Sequence, residues 1–190
     1  MKKIARMISC AALAACAALA FSGSALADLP KNVAEFNARY AEEGKTPEGA
    51  VKLWLDAIFV YQNPATKAQG REMLRVIKYN LPADFEKLAL YGSMLERINT
   101  QQYILRSYCA GTSPSNEYSV DVNKCEVQIT KSKEGDADNM WKIALKSSGA
   151  DSERWMTLVR NEDDEDLWQV YNATSMYMGI RPPKAPKKKK

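Results

Sequence analysis

The spacing of apolar residues changes once along the chain, from a helical period to an alternating one. In the first half, apolar residues recur at i, i+3, i+4 and i+7, which places them on one face of an amphipathic α-helix. The segment Thr46-Pro47-Glu48 is typical of a helix start, with a hydroxyl cap followed by proline. The clearest stripe is Val51, Trp54, Leu55 and Ile58, and the same period predicts further helices over residues 28–44, 66–79 and about 82–98.

Beyond Asn99 apolar and polar residues alternate, as they do in half-buried β-strands. The apolar parity shifts between residues 118–122 and 125–129, and this shift predicts a bulge or tight turn near Asn123-Lys124. Short polar segments separate the alternating stretches, which indicates hairpins. The other predicted strands are residues 103–108, 141–145, 155–159 and 167–171.

Helices followed by hairpin-connected strands predict an α+β fold. We expect the N-terminal helices to pack on one face of a curved antiparallel sheet of about five strands. That layout is similar to the NTF2-like folds, as an analogy of fold alone. Residues 28–180 are predicted to form a single α+β domain, and the Pro/Lys-rich residues 181–190 a disordered basic tail.

Residues 1–27 have the composition of a secretory signal peptide, with a basic start, an apolar run and a small-residue cleavage site. Cleavage after Ala27 predicts a periplasmic or secreted protein. Alternatively, Leu13-Ala14-Ala15-Cys16 resembles a lipobox, which predicts a lipoprotein acylated at Cys16. Cleavage after Ala27 is favoured because it uses the whole apolar run and leaves an even number of cysteines.

Those two remaining cysteines are Cys109 and Cys125. In an oxidising compartment such a pair favours a disulfide. The alternative is two buried thiols on different strands. A metal pair is disfavoured, because two sulfurs without any histidine make a poor zinc site.

The net charge of +4 hides an uneven distribution. All 23 acidic residues lie in residues 28–183, whereas three of the 27 basic residues lie in residues 1–27 and five in the last seven positions, residues 184–190. No nucleic-acid partner is expected for this acidic body. Lys184, Lys187, Lys188, Lys189 and Lys190 are predicted to contact an anionic membrane surface weakly, and a solubilising tail without a partner is the alternative.

The chain contains no histidine, so it lacks the commonest general base and the commonest metal ligand. No phosphate-binding glycine loop is present either, and we expect neither a metal nor a cofactor. The enzymatic alternative is a metal-independent isomerase or lyase that uses a carboxylate and a tyrosine in an apolar pocket. Its candidates are Asp56 as base and Tyr103 or Tyr171 as donor. Asp56 lies off the apolar stripe, however, which predicts a solvated position.

Two aromatic and acidic features near the C-terminus are candidate binding elements. The acidic residues 161–166 match no EF-hand loop, and they are predicted to form a charged hairpin tip. Trp155 and Trp168 flank this tip, and on a shared sheet face they would form a platform for a partner or a sugar. The alternative is that they are core or half-buried residues of the sheet.

The motif K-S-S-G-A-D-S at residues 146–152, followed by Arg154, precedes a tryptophan strand and a closing G-I-R-x-P at residues 179–183. Together with TPEGAVKLWLDAIFVYQNP, this pattern resembles an uncharacterised family of small bacterial domains, and the resemblance implies no function. Physically, the serines and Gly149 are typical of a turn between strands. The functional alternative is that Asp151, Ser152 and Arg154 line a binding surface.

Taken as a whole, the sequence predicts an exported, non-catalytic binding or accessory protein. Its ligand is a protein partner or a small molecule of the cell envelope. The candidate binding residues are Asp151, Ser152, Arg154, Trp155 and Trp168.

Overall fold

The computed structural model describes residues 28–184. Residues 1–27, to which the predicted signal peptide and the alternative lipobox belong, and residues 185–190 lie outside the described residues. Within them, none of the helices is long and apolar enough to cross a membrane. The helices are α1 (Val33–Glu43), α2 (Pro47–Gln62), α3 (Lys67–Ile77), α4 (Ala89–Thr100) and the single turn α5 (Tyr103–Arg106).

Local capping explains where the first two helices begin. The Asn32 side chain accepts a hydrogen bond from the Glu35 N–H at 2.9 Å, and the Thr46 hydroxyl accepts one from the Gly49 N–H at 3.1 Å. Each bond satisfies one N–H group that has no partner inside the helix. The predicted helix start at Thr46-Pro47-Glu48 is confirmed.

Helix α2 is buried on all sides, not only along the predicted stripe. It packs against α1 and α3 on one side and against the sheet on the other. Its buried residues are Ala50, Val51, Leu53, Trp54, Leu55, Asp56, Ala57, Ile58, Phe59, Val60 and Tyr61.

The expectation of a solvated Asp56 is wrong. Its side chain is only 7% exposed, and its carboxylate accepts hydrogen bonds from Arg39 Nη2 at 2.9 Å and from Lys52 Nζ at 3.0 Å. Because all sides of α2 are covered, a position off the apolar stripe is still inside. The charge is tolerated because two cations neutralise it.

The predicted α+β class is confirmed, but the sheet has four strands and not about five within the described residues. They are β1 (Ile129–Glu134), β2 (Met140–Leu145), β3 (Arg154–Arg160) and β4 (Trp168–Asn172). The strands are antiparallel and lie side by side in sequence order. The acidic residues 161–166 lie in the hairpin connection between β3 and β4, as predicted. The helices cover the face that carries Ile143, Met156, Leu158 and Val170.

The predicted strand at residues 103–108 is wrong, because Tyr103–Arg106 is helical. Ile104, Leu105 and Tyr108 are all at most 1% exposed. Burial at i, i+1 and i+4 fits one side of a helix and not the alternating faces of a strand. The alternation of apolar and polar residues over residues 103–108 is therefore too short to distinguish a strand from a helix.

The predicted strand at residues 118–122 is also absent. Glu117 and Tyr118 both have a φ of 56°, a left-handed conformation that interrupts an extended chain. The Asp121 carboxylate then accepts a hydrogen bond from the Asn123 N–H at 3.1 Å and stabilises a 3₁₀ turn over Val122–Lys124. That turn confirms the tight turn predicted near Asn123-Lys124.

The predicted disulfide between Cys109 and Cys125 is confirmed, with the two Cα atoms 4.9 Å apart. Pairing beside it is limited to one antiparallel bridge between Cys109 and Val127 and a hydrogen bond from the Ala110 N–H to the Glu126 carbonyl. The disulfide therefore holds together the two ends of a loop that belongs to no sheet.

We predict that the double variant Cys109→Ala/Cys125→Ala lowers the free energy of unfolding by about 3 kcal/mol, because the disulfide restricts a loop of this length in the unfolded chain. Urea unfolding of both proteins measures the difference. The single variant Cys125→Ala is the control for thiol chemistry and should match the double variant. Equal stability of wild type and double variant would contradict the prediction, as would two free thiols in mass spectrometry of the oxidised wild type.

Candidate functional site

An open cavity of about 460 Å³ lies where the helices meet the edge of the sheet at β4. Small-molecule sites have volumes of about 300–1,000 Å³, so the cavity is large enough for a ligand. Helices α2, α3 and α4, the segment after α3 and the chain after β4 all contribute to it. The lining residues are Trp54, Ile58, Leu74, Lys78, Tyr79, Asn80, Leu81, Phe85, Tyr91, Met94, Leu95, Tyr171, Asn172, Ala173, Thr174 and Tyr177.

The floor of the cavity is apolar and its rim is polar. Trp54, Phe85 and Tyr177 on the floor are each less than 8% exposed. On the rim, Tyr171 is 46% exposed, and its ring lies against that of Tyr79 with 5.8 Å between centroids. A ligand would therefore enter beside two tyrosines and reach a surface of aromatic rings.

The chain after α3 forms one wall of the cavity. The Lys78 N–H donates to the Leu74 carbonyl at 3.0 Å and ends the helix, and the Tyr79 N–H then donates to the Val170 carbonyl of β4 at 3.1 Å. Asn80 follows with a φ of 47°, a left-handed conformation that asparagine adopts more readily than most residues. The chain thus touches the sheet edge briefly and turns away, with Lys78 fixed between helix and sheet.

Among the described residues that line this cavity, Lys78 carries the one cationic group. Its Nζ donates to the Tyr171 carbonyl at 2.8 Å and to the Tyr79 carbonyl at 3.4 Å. Among residues 28–184 it forms no ion pair. Burial lowers the pKa of Lys78 to about 8, because removal from water disfavours the charged form.

Tyr79 and Tyr177 of the cavity both have raised pKa values, so they are neutral hydrogen-bonding groups at neutral pH. Burial raises the pKa of Tyr177. The Tyr79 hydroxyl donates to Glu162 Oε1 at 2.6 Å, and this hydrogen bond raises the pKa of Tyr79. No aspartate or glutamate is among the described residues that line the cavity. Among the described lining residues, the site therefore offers apolar contact, neutral polar groups and one amine.

The predicted binding residues Asp151, Ser152 and Arg154 lie together, but none lines the cavity. Arg154 donates to the Ser152 hydroxyl at 2.8 Å and carbonyl at 2.9 Å, and to the Met178 carbonyl at 3.0 Å. Asp151 Oδ1 lies 2.8 Å from Arg181 Nη1, which identifies the acid that pairs with Arg181. Arg154 and Asp151 therefore hold the C-terminal segment against the turn that precedes β3.

The two sequence motifs thus contact each other. The Arg181 N–H donates to the Gly149 carbonyl at 2.9 Å, and the Tyr118 hydroxyl donates to the Arg181 carbonyl at 2.7 Å. The Lys184 N–H donates to the Pro114 carbonyl at 2.8 Å, so the hydrogen-bonded chain extends into the predicted tail. The turn of the K-S-S-G-A-D-S motif holds the C-terminal segment against the body.

Trp155 and Trp168 do not share a sheet face. Trp168 pairs with Arg160 in the register of β3 and β4, and residues 155 and 160 of one strand point to opposite faces. Trp168 belongs to the core under the guanidinium of Arg160, whereas Trp155 lies on the outer face with Lys133 Nζ 5.2 Å from its ring. The two indoles cannot form one platform.

Sequence reasoning missed Lys78. It follows Leu74 by four residues, so it continues the inward face of α3, which Met73 and Ile77 also share. A lysine at the position that continues the apolar face of a helix was the signal in the sequence that could have identified Lys78 as a site residue. Its neighbours at Tyr171 and Val170 are too distant in sequence to be foreseen.

The fold and the cavity define the class of protein: an α+β domain with helices on one face of an antiparallel sheet and an aromatic-lined cavity at the junction. The chain belongs to the family described as a domain of unknown function, DUF6935, whose model matches residues 28–184. This match confirms the resemblance to an uncharacterised family. Comparison with curated proteins gives no match, and comparison with solved structures gives none.

We predict that Gly149→Ala lowers the free energy of unfolding by about 1–3 kcal/mol through overpacking. A Cβ at this position would lie 2.5 Å from the Tyr118 hydroxyl oxygen and 2.7 Å from Ile180 Cγ2. Urea unfolding measures the effect. The control Asp151→Asn removes only the exposed ion pair with Arg181 and should change stability by less than about 1 kcal/mol. An unchanged midpoint for Gly149→Ala would contradict the structural role of the turn.

Proposed function

We propose that this protein is a non-catalytic binding protein for a small, largely apolar molecule that occupies the cavity beside Lys78. The observation that carries the proposal is the cavity itself, whose volume of about 460 Å³ is bounded by side chains of the helices and of the sheet edge. Protein interiors are close-packed, so an open space lined by aromatic rings favours an occupant. Burial of a ligand against Trp54, Phe85 and Tyr177 supplies the hydrophobic contribution to affinity.

We do not adopt the enzymatic alternative, because its candidate base and donors are not brought together. Asp56 does not line the cavity, and Arg39 and Lys52 bind its carboxylate. Tyr103 stacks on Tyr118 with 5.6 Å between ring centroids, and it does not line the cavity either. Only Tyr171 is present at the rim, without a carboxylate partner among the lining residues.

The further parts of the proposal concern fold likeness and compartment. Helices over one face of an antiparallel sheet, with a cavity between the layers, support the NTF2-like analogy at the level of fold. The Cys109–Cys125 disulfide supports an oxidising compartment, periplasmic or extracellular, reached by cleavage after Ala27. Lipoprotein anchoring at Cys16 remains the alternative. In the envelope, the lysines of the tail would add weak, salt-sensitive contact with an anionic membrane surface.

We predict that N-phenylnaphthylamine, a neutral dye that fluoresces in apolar surroundings, binds the wild type in the cavity. Met94→Trp should weaken this binding at least about tenfold, because the larger side chain fills space between α4 and the floor. Fluorescence titration gives the dissociation constants. The control Leu88→Trp adds the same indole at an exposed position that does not line the cavity, and it should leave binding unchanged.

Both variants are first compared with wild type by circular dichroism to show that they fold. Loss of binding is then interpreted only for variants that are folded. Dye binding that is absent in wild type, or that is identical in wild type and Met94→Trp, would refute a ligand site in this cavity.

We predict that the full chain, expressed in a bacterium, is recovered from the periplasm or medium with Asp28 as its first residue. N-terminal sequencing checks this. Recovery in the membrane fraction with an acyl chain that Cys16→Ser abolishes would instead support the lipoprotein alternative.

A further inference from the structure

We propose that the ligand of the cavity is an aromatic carboxylate, whose anionic group binds the Lys78 amine while its ring lies against the aromatic floor. This inference rests on the proposed function and names the class of molecule that the site would take. It follows from the hydrogen bonds and charge of Lys78 and from the aromatic rings of the floor. It also follows from the absence of a competing acid among the described lining residues.

The first step concerns the hydrogen bonds of the amine. A lysine ammonium has three N–H donors. Two acceptors are present, the carbonyls of Tyr171 and Tyr79 at 2.8 Å and 3.4 Å. No third acceptor for Lys78 is present within residues 28–184. The two carbonyls hold the amine at the wall of the cavity and leave one donor for a ligand oxygen.

The second step compares the charge of Lys78 with that of Asp56, which is buried in the protein. Asp56 lies between Arg39 and Lys52. Lys78 is half-buried and its amine contacts only carbonyl dipoles, so its positive charge is partly desolvated without a neutralising carboxylate. A ligand carboxylate would supply the missing negative charge, and a charge-assisted hydrogen bond is about twice as strong as a neutral one.

Glu86, on the neighbouring surface, has charged partners as Asp56 does, and it therefore differs from Lys78 in the same way. It receives a hydrogen bond from the Tyr61 hydroxyl at 2.6 Å and lies 3.4 Å from Arg71 Nε and 3.9 Å from Lys67 Nζ. Its charge is thus satisfied by the protein. Lys78, by contrast, has no carboxylate partner among residues 28–184, and its side chain lines the cavity.

The third step concerns the apolar part of the ligand. The cavity carries rings from α2, from the segment after α3, from α4 and from the chain after β4: Trp54, Phe85, Tyr91, Tyr171 and Tyr177. Aromatic pairs are stabilised by offset or edge-to-face contact beyond the area that they bury. A flat ring with a carboxylate therefore fits this lining better than a branched polar molecule.

The pH dependence follows from the groups that face the amine. The titratable lining groups besides Lys78 are tyrosines: Tyr79 after α3, Tyr91 on α4, Tyr171 on β4 and Tyr177 after it. Lys78 is cationic below its pKa of about 8 and neutral above it. The preference for an anion should therefore be full at about pH 7 and fall as the pH rises beyond about 8.

The test uses naphthoate and naphthamide, which have the same ring and differ in charge. Each displaces N-phenylnaphthylamine from the full chain. We expect naphthoate to bind wild type about tenfold more tightly than naphthamide at about pH 7. Lys78→Met should abolish this preference and its pH dependence, and still bind the neutral dye.

Lys146→Met is the matched control. It removes the same charge at an exposed position that does not line the cavity, and it should keep the full preference for naphthoate. Lys78→Gln provides a second variant in case methionine abolishes dye binding.

The outcomes separate the two proposals. If wild type binds dye but does not distinguish naphthoate from naphthamide, the anionic ligand class is wrong and the cavity remains a binding site. The same conclusion follows if Lys78→Met retains the preference, or if Lys146→Met loses it equally. If the dye does not bind wild type at all, the proposed function fails first.

Discussion

The burial of helix α2 from several sides is the constraint on which the rest of the structure depends. A helix with eleven buried residues cannot be covered by one neighbour, so α1 and α3 cover one side and the sheet covers the other. The same burial encloses Asp56, and Arg39 of α1 must then reach it to neutralise the charge. One polar residue inside an apolar helix thus fixes how α1 lies on α2.

The cavity lies where this packing ends. Helix α3 covers α2 as far as Ile77, and the chain then contacts β4 for only two residues before Asn80 turns it away. Residues 81–95 return to close the far side, but they do not fill the space next to Trp54. The amine of Lys78 is held at this junction by carbonyl groups alone, and that arrangement gives the site its electrostatic character.

The sequence predicted the features that local interactions decide. The cap at Thr46, the helical spacing and the turn near Asn123 are encoded by adjacent residues. The disulfide follows from the presence of only two cysteines after residue 27. The prediction of a strand at residues 103–108 is wrong because Ile104, Leu105 and Tyr108 are buried in the core, which local sequence does not reveal. The site was missed because the Tyr171 carbonyl that holds Lys78 lies 93 residues away, and no local pattern records that contact.

The contact between the segment after α3 and β4 also bears on self-association. The two edges of a sheet present unpaired backbone groups that can pair with another chain. At the β1 edge, Lys131 and Lys133 place charge where a second sheet would approach. At the β4 edge, the Lys78–Val170 bridge and the Tyr79 hydrogen bond occupy part of the backbone. The wall of the cavity is therefore also the cover of a sheet edge, and any movement that widened the entrance there would uncover backbone groups competent for aggregation.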